Sequence, residues 1–234
     1  MAKTASSPTP ARAASASAAA AASAQADARP MEPALAVLEL ASIAVGIEAG
    51  DAMVKRSPVD VLLAGTIHPG KYVLLVAGQV ADVEEAYEAG LAVGESCLVD
   101  TVLLPSVHPA VVAALRGARR AGTGEALGVI ETATIAATVE AADAGLKGAD
   151  VALLELRVGD GIGGKGYLLF DGTVADVEAA VEIAIARVSD GLLGSVPGGR
   201  APIGRVIAQL HREMRTELEA DARLGARLGR RGEA

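Results

Sequence analysis

The segment ALAVLELASIAVGIEAGDAMVK, residues 34–55, decides the fold because it occurs again as ALGVIETATIAATVEAADAGLK at residues 126–147. About 14 of the 34 aligned positions that start at Ala34 and Ala126 are identical, where chance in a chain this rich in Ala, Val and Gly gives roughly 3 or 4. KYVLLVAGQVADVE, from Lys71, likewise returns as KGYLLFDGTVADVE, from Lys165. The chain is therefore a tandem duplication of one unit, and its function must suit two similar modules.

The composition excludes several classes of partner. Of the 234 residues, 51% are hydrophobic but only 2% are aromatic, and the net charge is −8. Few rings are available to stack on bases and an acidic chain repels phosphates, so we expect no nucleic-acid partner. The single cysteine, Cys97, excludes an internal disulfide and a multi-cysteine metal or iron–sulfur site. Because no apolar run reaches about 18 residues, we expect a cytoplasmic chain with no membrane partner.

Each copy has the predicted element order β-α-β-β-α-β. Apolar runs at 34–41 and 126–133 predict strands, and each is followed by a Ser or Thr typical of a helix N-cap. The first helix of the first copy carries an apolar stripe at helical spacing, Ile43, Ile47 and Val54. Further strands are predicted at 59–67, 72–77 and 98–104 in the first copy, and at 151–158, 167–170 and 192–196 in the second.

This element order is that of a ferredoxin-like split unit. We therefore predict an α+β fold with two tandem domains, each an antiparallel four-stranded sheet with both long helices on one face. The Ala/Ser/Pro-rich start of the chain cannot bury enough apolar surface to offset its ordering entropy and is predicted to be a disordered arm. The predicted parts are the arm at 1–33, the first domain at 34–117, a linker at 118–124, the second domain at 125–212 and a charged, partly helical tail at 213–234.

The repeated segments resemble those of bacterial microcompartment shell proteins. LAVLELASIAVGIEAGDAMVK and LGVIETATIAATVEAADAGLK resemble the first strand and helix of that domain, and GQVADVE and GTVADVE resemble the start of its second helix. The resemblance covers about 34–117 and 125–212, and two copies point to the tandem-domain class. It implies a homotrimer that mimics a hexagon of six domains and tiles edge to edge with other shell proteins around encapsulated enzymes. It also implies a central pore for small polar metabolites.

The resemblance implies a role for particular residues as well. In this family the loop between the second and third strands lines the pore. The matching pore residues are His68, Pro69, Gly70 and Lys71 in the first copy, and Gly161, Ile162, Gly163, Gly164 and Lys165 in the second. A lysine that ends the first helix lies on the tile edge and matches Lys55 and Lys147. An arginine after the fourth strand completes that edge, and the residues at its place are Arg200 in the second copy and Ser106, with His108 two residues on, in the first.

The glycine-rich stretch GDGIGGKG, residues 159–166, also matches G-x-G-x-x-G and nearly matches a Walker A loop. Both kinds of phosphate loop must open a helix, whereas the strand YLLF follows here. Walker A also needs Ser or Thr after its lysine, and Gly166 stands there. We therefore expect no nucleotide cofactor and interpret the glycines as a close-packed rim around an axis.

No catalytic set is apparent, so we expect a structural protein and not an enzyme. The duplicated acids Glu39, Glu131, Asp51 and Asp143 are interpreted as helix-surface or strand-end features, and no metal ligands are predicted. His68 is either a solvent-facing loop residue or, repeated around an axis, a charge gate or metal ligand. His108 and His211 are expected to lie in dissimilar contexts.

Two other classes of function remain open at this point. A trimeric ferredoxin-like regulator would bind a small anion in a basic cleft, for which the repeats offer few Arg or Lys residues. An enzyme on the same fold would need a nucleophile or an acid–base pair. Particle mass together with electron microscopy separates both from a tile, since only a tile forms ordered sheets or tubes.

Overall fold

The computed structural model describes residues 34–159, 161–192 and 201–220. The first copy comprises β1 Ala34–Leu40, α1 Ile43–Arg56, β2 Asp60–Ile67, β3 Lys71–Gly78, α2 Val80–Gly94, a 3₁₀ turn Glu95–Cys97, β4 Leu98–Leu104 and α3 Pro109–Leu115. The second comprises β5 Ala126–Thr132, α4 Ile135–Gly148, β6 Ala152–Val158, β7 Gly166–Gly172, α5 Val174–Leu192, β8 Ile203–Ala208 and α6 Arg212–Glu219. The predicted arm at 1–33 and the tail beyond residue 220 lie outside the described residues.

Each copy forms one antiparallel sheet of four strands. The strand order is β2-β3-β1-β4 in the first copy and β6-β7-β5-β8 in the second. The register repeats as well, with Glu39 opposite Val73 in the first sheet and Glu131 opposite Tyr167 in the second. The long helices, α1 with α2 and α4 with α5, pack on each other and on one face of their sheet. The predicted α+β class with two tandem ferredoxin-like domains is confirmed.

Small residues let α1 lie close to its sheet. A Cβ atom on Gly46 would lie 2.6 Å from the side chain of Tyr72, so that only glycine fits without displacing the ring. Ala49 and Met53, one and two turns further on, are fully buried. The helix therefore faces the sheet with a Gly–Ala–Met side, and the close approach replaces the large aromatic side chains that the chain lacks.

The predicted apolar stripe of α1 does not face the sheet. Ile43, Ile47 and Val54 remain 41%, 56% and 46% exposed. Their counterparts in α4 differ, because Ile135 and Val139 are fully buried. Helical spacing correctly marks an apolar face, but α1 has two such faces, and its smaller side chains are the ones that pack inward.

The prediction of the fourth strand of the second copy at 192–196 is wrong. Helix α5 continues through Leu192, and the strand that pairs with β5 is β8, Ile203–Ala208. The apolar run GLLGSV suggested a strand, but the 19-residue helix extends into it. Within the described part of the chain, no helix is both long and apolar enough to cross a membrane.

The two copies share one hydrophobic core. Strand β4 and helix α3 of the first copy pack against α4 and β6 of the second. Val107 and Val111 on the first side join Ile135 and Val139 on the second in a single buried cluster. The border between the copies is thus built like a domain interior, which fixes the two sheets relative to each other.

Candidate functional site

The two predicted pore loops lie against each other. Three glycines of the second loop, at positions 161, 163 and 164, have φ between 71° and 74°, a left-handed conformation that other residues rarely adopt. A Cβ atom on Gly164 would lie only 2.1 Å from the carbonyl oxygen of His68, so the approach of the two loops also requires glycine. His68, Pro69 and Gly70 are exposed. The structure therefore brings both loops together at one end of the border between the copies, while Asp160 lies outside the described residues.

The lysines behind the loops are bound to acids and do not point free into solvent. Lys71 pairs with Glu39, and its Nζ also lies 3.5 Å from the carbonyl oxygen of Gly164 in the other loop. Lys165 makes the equivalent pair with Glu131 at 2.6 Å. Glu39 does lie near the end of β1, as expected, but it is not a surface acid, because its side chain is fully buried.

Glu39 joins the two copies. Its second oxygen, Oε2, accepts a hydrogen bond from the backbone N–H of Ile135 at 2.8 Å, the first residue of α4. A carboxylate at a helix N-terminus is favourable because the first amides have no partners within the helix. Burial raises the pKa of Glu39, while the ion pair with Lys71 and the amide of Ile135 oppose that rise. In the sequence an acid recurs inside both apolar strands and a lysine recurs before both third strands, but this pattern does not show that the two side chains meet or which acid is buried.

Three of the predicted tile-edge residues meet at the outer end of the same border. Lys147 binds Asp143 at 2.6 Å and also donates to the carbonyl oxygen of Ser106. The backbone N–H of His108 donates to the other oxygen of Asp143 at 2.7 Å. Lys55, the counterpart of Lys147, pairs with Asp51 at 2.5 Å and its side chain is 72% exposed. The lysines thus have like positions in the repeat but different surroundings.

The placement of Arg200 after the fourth strand is wrong. Leu35 pairs with Leu104 in β4 and the equivalent Leu127 pairs with Ile207 in β8, so Arg200 precedes the last strand, and its own structure lies outside the described residues. Counting on from these partners gives Gln209, which has φ of 53°, as the counterpart of Ser106.

The same register makes His108 and His211 equivalent, which corrects the expectation that their contexts differ. Both are helix N-caps whose Nδ1 accepts a backbone N–H, from Ala110 at 3.2 Å and from Glu213 at 3.4 Å. Their shared role is structural capping of α3 and α6. Sequence comparison missed it because the segment before β8 is longer than the one before β4.

The remaining polar groups offer little for chemistry. Among the residues that the structure describes, no group of three or more His, Cys, Asp and Glu side chains could hold a metal ion. Cys97 is half-buried beside the helix-side core of the first copy. The geometry thus points to interfaces between domains.

Comparison with known proteins places both copies in one family. The BMC domain model matches residues 34–107 and 126–197. The chain is 41% identical over 154 residues to the bacterial microcompartment shell protein PduT of Citrobacter freundii. This alignment covers 66% of this chain and 84% of that protein. A solved microcompartment protein of Desulfitobacterium hafniense is 37% identical with a TM-score of 0.67 and covers 79% of this chain and 99% of its own. A fused permuted hexameric shell protein of the RMM microcompartment shares the fold, with 20% identity, a TM-score of 0.51, and coverage of 66% and 81%.

Proposed function

The chain belongs to the bacterial microcompartment shell proteins of the BMC domain family, and we propose that three copies of it close into a ring of six domains that serves as one tile of the shell. The role is structural, not catalytic. The observation that carries the proposal is that the chain has one covered domain border and two open surfaces that match the two sides of that border.

The covered border shows what each side needs. On the second copy it uses the outer face of α4 and the adjoining strand β6, where Ile135, Val139 and Leu153 are at most 4% exposed. On the first copy it uses β4 and the segment after it, including Leu104 at 6% exposure. Because the two sides are different surfaces, the contact is heterologous and can be repeated from chain to chain.

Each of the two surfaces that meet at the covered border has an exposed counterpart in the other copy. On the first copy, Ile47, Val61 and Leu63 stand where the second copy has buried residues, and they are 56%, 46% and 38% exposed. A groove of about 210 Å³ lies beside them. At the other end, Ile207 of β8 holds the place of Leu104 and is 39% exposed. Joining these ends head to tail buries apolar surface that a monomer leaves in water.

The polar contacts of the covered border also have counterparts waiting at the open ends. Glu131 is 44% exposed, and in a ring its free oxygen would accept the N–H of Ile43 from the next chain, as Glu39 accepts that of Ile135. Asp51 would likewise accept the N–H of His211, as Asp143 accepts that of His108. Hydrophobic and polar matches at the same surfaces support head-to-tail association between chains, and closure of that association into a ring is part of the proposal.

In this ring the loops at 68–71 and 161–165 alternate around the axis and line a pore. The glycine loop presents backbone N–H groups and little side-chain bulk, which favours small polar metabolites over bulky apolar ones. Lys71 and Lys165 act mainly by holding Glu39 and Glu131, so they contribute less free positive charge to the channel than an unpaired lysine would. Lys55 and Lys147 with the residues around Ser106 and His108 lie toward the outside, where neighbouring shell proteins pack.

The experiment that tests the ring is a mass measurement by size exclusion with light scattering. Chains of 23.3 kDa give a trimer of about 70 kDa. Ile47→Asp, which places a charge on the open apolar face, should yield folded monomers. Ala113→Asp is the matched control, because Ala113 is exposed on α3, away from that face, and should leave the trimer intact.

Two outcomes would contradict the proposal. One is a monomeric wild-type chain at micromolar concentration, and the other is an Ile47→Asp variant that remains trimeric. A discrete trimer that never forms sheets or tubes under the electron microscope would instead favour the regulator, the alternative that composition left open.

A further inference from the structure

A cavity of about 150 Å³ lies on the face of the second sheet that α4 and α5 do not cover. In the first copy, Val111 and Val112 of α3 are at most 1% exposed and belong to one buried cluster with Leu35 and Leu75 of the first sheet. By the strand register, α6 carries Met214 and Arg215 at those two places. An arginine thus stands in the second copy where the first has a buried valine, and this arginine lines the cavity.

The cavity has an apolar floor and a charged mouth. Its floor and one wall consist of leucines, namely Leu127, Leu154, Leu169, Leu210 and Leu218. Charged side chains line the rest, and three are arginines, at positions 119, 120 and 215, against Glu155 and Glu219. A pocket that combines an apolar body with a few converging polar groups is the usual form of a small-ligand site.

Most of these charges already have partners within the chain. Arg119 donates to Glu155 at 2.7 Å and to the carbonyl oxygen of Leu218 at 2.9 Å. Arg215 binds Asp171 at 3.0 Å. Glu155 also accepts from the hydroxyl of Tyr167 at 2.9 Å, and burial together with Glu155 raises the pKa of Tyr167, which keeps it a neutral donor. The carboxylate of Glu155 is therefore compensated and contributes little repulsion toward an anion in the cavity.

Arg120 is the exception. Its backbone N–H is fixed on the carbonyl oxygen of Leu154 at 3.0 Å. Arg120 is exposed and lines the cavity, and its guanidinium has no ion-pair partner among residues 34–159, 161–192 and 201–220. A guanidinium offers planar, paired donors that suit a carboxylate. Glu219, the other charge at the mouth, is occupied by the N–H of Gly122 at 3.1 Å.

We propose that this cavity binds a small organic acid, with its carboxylate on Arg120 and its short aliphatic chain on the leucines. At about 30 Å³ per water molecule, the cavity holds roughly five waters, which fits an aliphatic acid of about four carbons. The site lies within one chain, so it goes beyond the ring and the pore and does not depend on them.

Butyrate is the probe for this site, and isothermal titration of the full-length protein is the measurement. We expect butyrate to bind and butylammonium of the same length not to bind. Arg120→Gln should weaken butyrate binding about tenfold or more, which corresponds to loss of a charged hydrogen bond. Arg116→Gln is the matched control, since Arg116 is exposed at the end of α3 and does not line the cavity.

A second variant tests the apolar part. Ala121 lines the cavity and is exposed, so Ala121→Leu should fill the space, abolish binding and leave the thermal unfolding temperature unchanged. The proposal is overturned if butyrate does not bind at concentrations on the order of 10 mM, if butylammonium binds equally well, or if Arg120→Gln does not weaken butyrate binding. Light scattering on the same samples reports the ring separately, so failure of one proposal is distinguishable from failure of the other.

Discussion

Oε2 of Glu39, in the first domain, accepts a hydrogen bond from the backbone N–H of Ile135, the first residue of α4 in the second domain, at 2.8 Å. The other oxygen of Glu39 binds Lys71, whose Nζ also lies near the carbonyl oxygen of Gly164. One buried carboxylate thus connects a central strand, a helix N-terminus and, through its lysine, the neighbouring glycine loop. Loss of either partner should therefore affect both the domain border and the loops beside it.

Lys71→Met should lower the free energy of unfolding by about 3–5 kcal/mol at neutral pH, because it leaves the buried charge of Glu39 without its partner. Burial already raises the pKa of Glu39 above its ordinary value of 4.5, and Lys71 opposes that rise. The folded state then keeps a proton that the unfolded chain releases, so stability falls as pH rises above about 4.5. In Lys71→Met this fall should extend to higher pH, because the slope is limited to one proton per carboxyl group. The deficit of Lys71→Met should therefore shrink at about pH 4, as urea unfolding at neutral pH and at about pH 4 would show.

The matched control for that substitution is Lys165→Met. Each lysine substitution is made separately in an Ile47→Asp background, in which the chains are monomeric. The pair of Lys165 with Glu131 is 41% and 44% exposed, so its loss should cost at most about 1 kcal/mol. Equal losses of unfolding free energy in Lys71→Met and Lys165→Met would show that the burial of Glu39 does not set the cost of removing its lysine.

Gly164→Ala should be much more destabilising than Gly163→Ala. Both glycines have nearly the same positive φ, 74° and 71°, so the conformational cost of about 1–2 kcal/mol is shared. A methyl on Gly163 meets nothing within 4 Å, whereas one on Gly164 would lie 2.1 Å from the carbonyl oxygen of His68. We expect an extra loss of about 1–3 kcal/mol for Gly164→Ala in urea unfolding. Similar midpoints for both variants would mean that the two loops do not meet as described.

Lys55→Ala should abolish ordered sheets in the electron microscope while trimers persist in light scattering. Lys147 keeps 46% exposure although its border is formed, so we expect Lys55 to stay accessible at the tile edge in a closed ring. An aspartate at either lysine would be a poorer test, because it would meet Asp51 or Asp143 and repel it at the border itself. Normal tiling by Lys55→Ala would remove this lysine from the edge.

Gly163→Trp should slow the entry of small polar substrates into assembled shells without changing tiling. A Cβ atom at position 163 meets nothing within 4 Å, so the indole side chain of the tryptophan can extend into the pore without a clash inside the chain. Gly117→Trp is a fitting control, since Gly117 also has a positive φ, 93°, and open space but lies beyond α3 and outside both loops. Equal entry rates for the two variants would place residue 163 away from the diffusion path.

The repeats made the fold predictable, because two copies of each pattern reduce the chance of misreading either. The four strands and two long helices of each copy occur in the predicted order β-α-β-β-α-β. The side of α1 that packs inward was not predictable, since Ile47 is more apolar than Gly46 and only the close approach of Tyr72 favours the glycine.

Pairings between distant segments were equally beyond the sequence. Nothing local marks Glu39 as buried, because its partners, Lys71 and Ile135, come from other elements. The position of β8 was hidden by the longer segment after α5, and the equivalence of His108 and His211 was hidden with it. These features depend on tertiary register, which one sequence does not specify.

The continuous chain between α3 and β5 has a consequence for the kinetics of assembly. The linker holds the two domains at a high effective concentration, so the border between them forms within one molecule. Its formation therefore does not depend on protein concentration and does not cost the translational entropy of an association. Only the borders between chains must be found by collision, and ring formation depends less steeply on concentration than it would for separate single domains. The tethered border, with Glu39 against Ile135, therefore exists before any encounter, whereas the apolar side chains at Ile47 and Val61 become covered only in the second, concentration-dependent step.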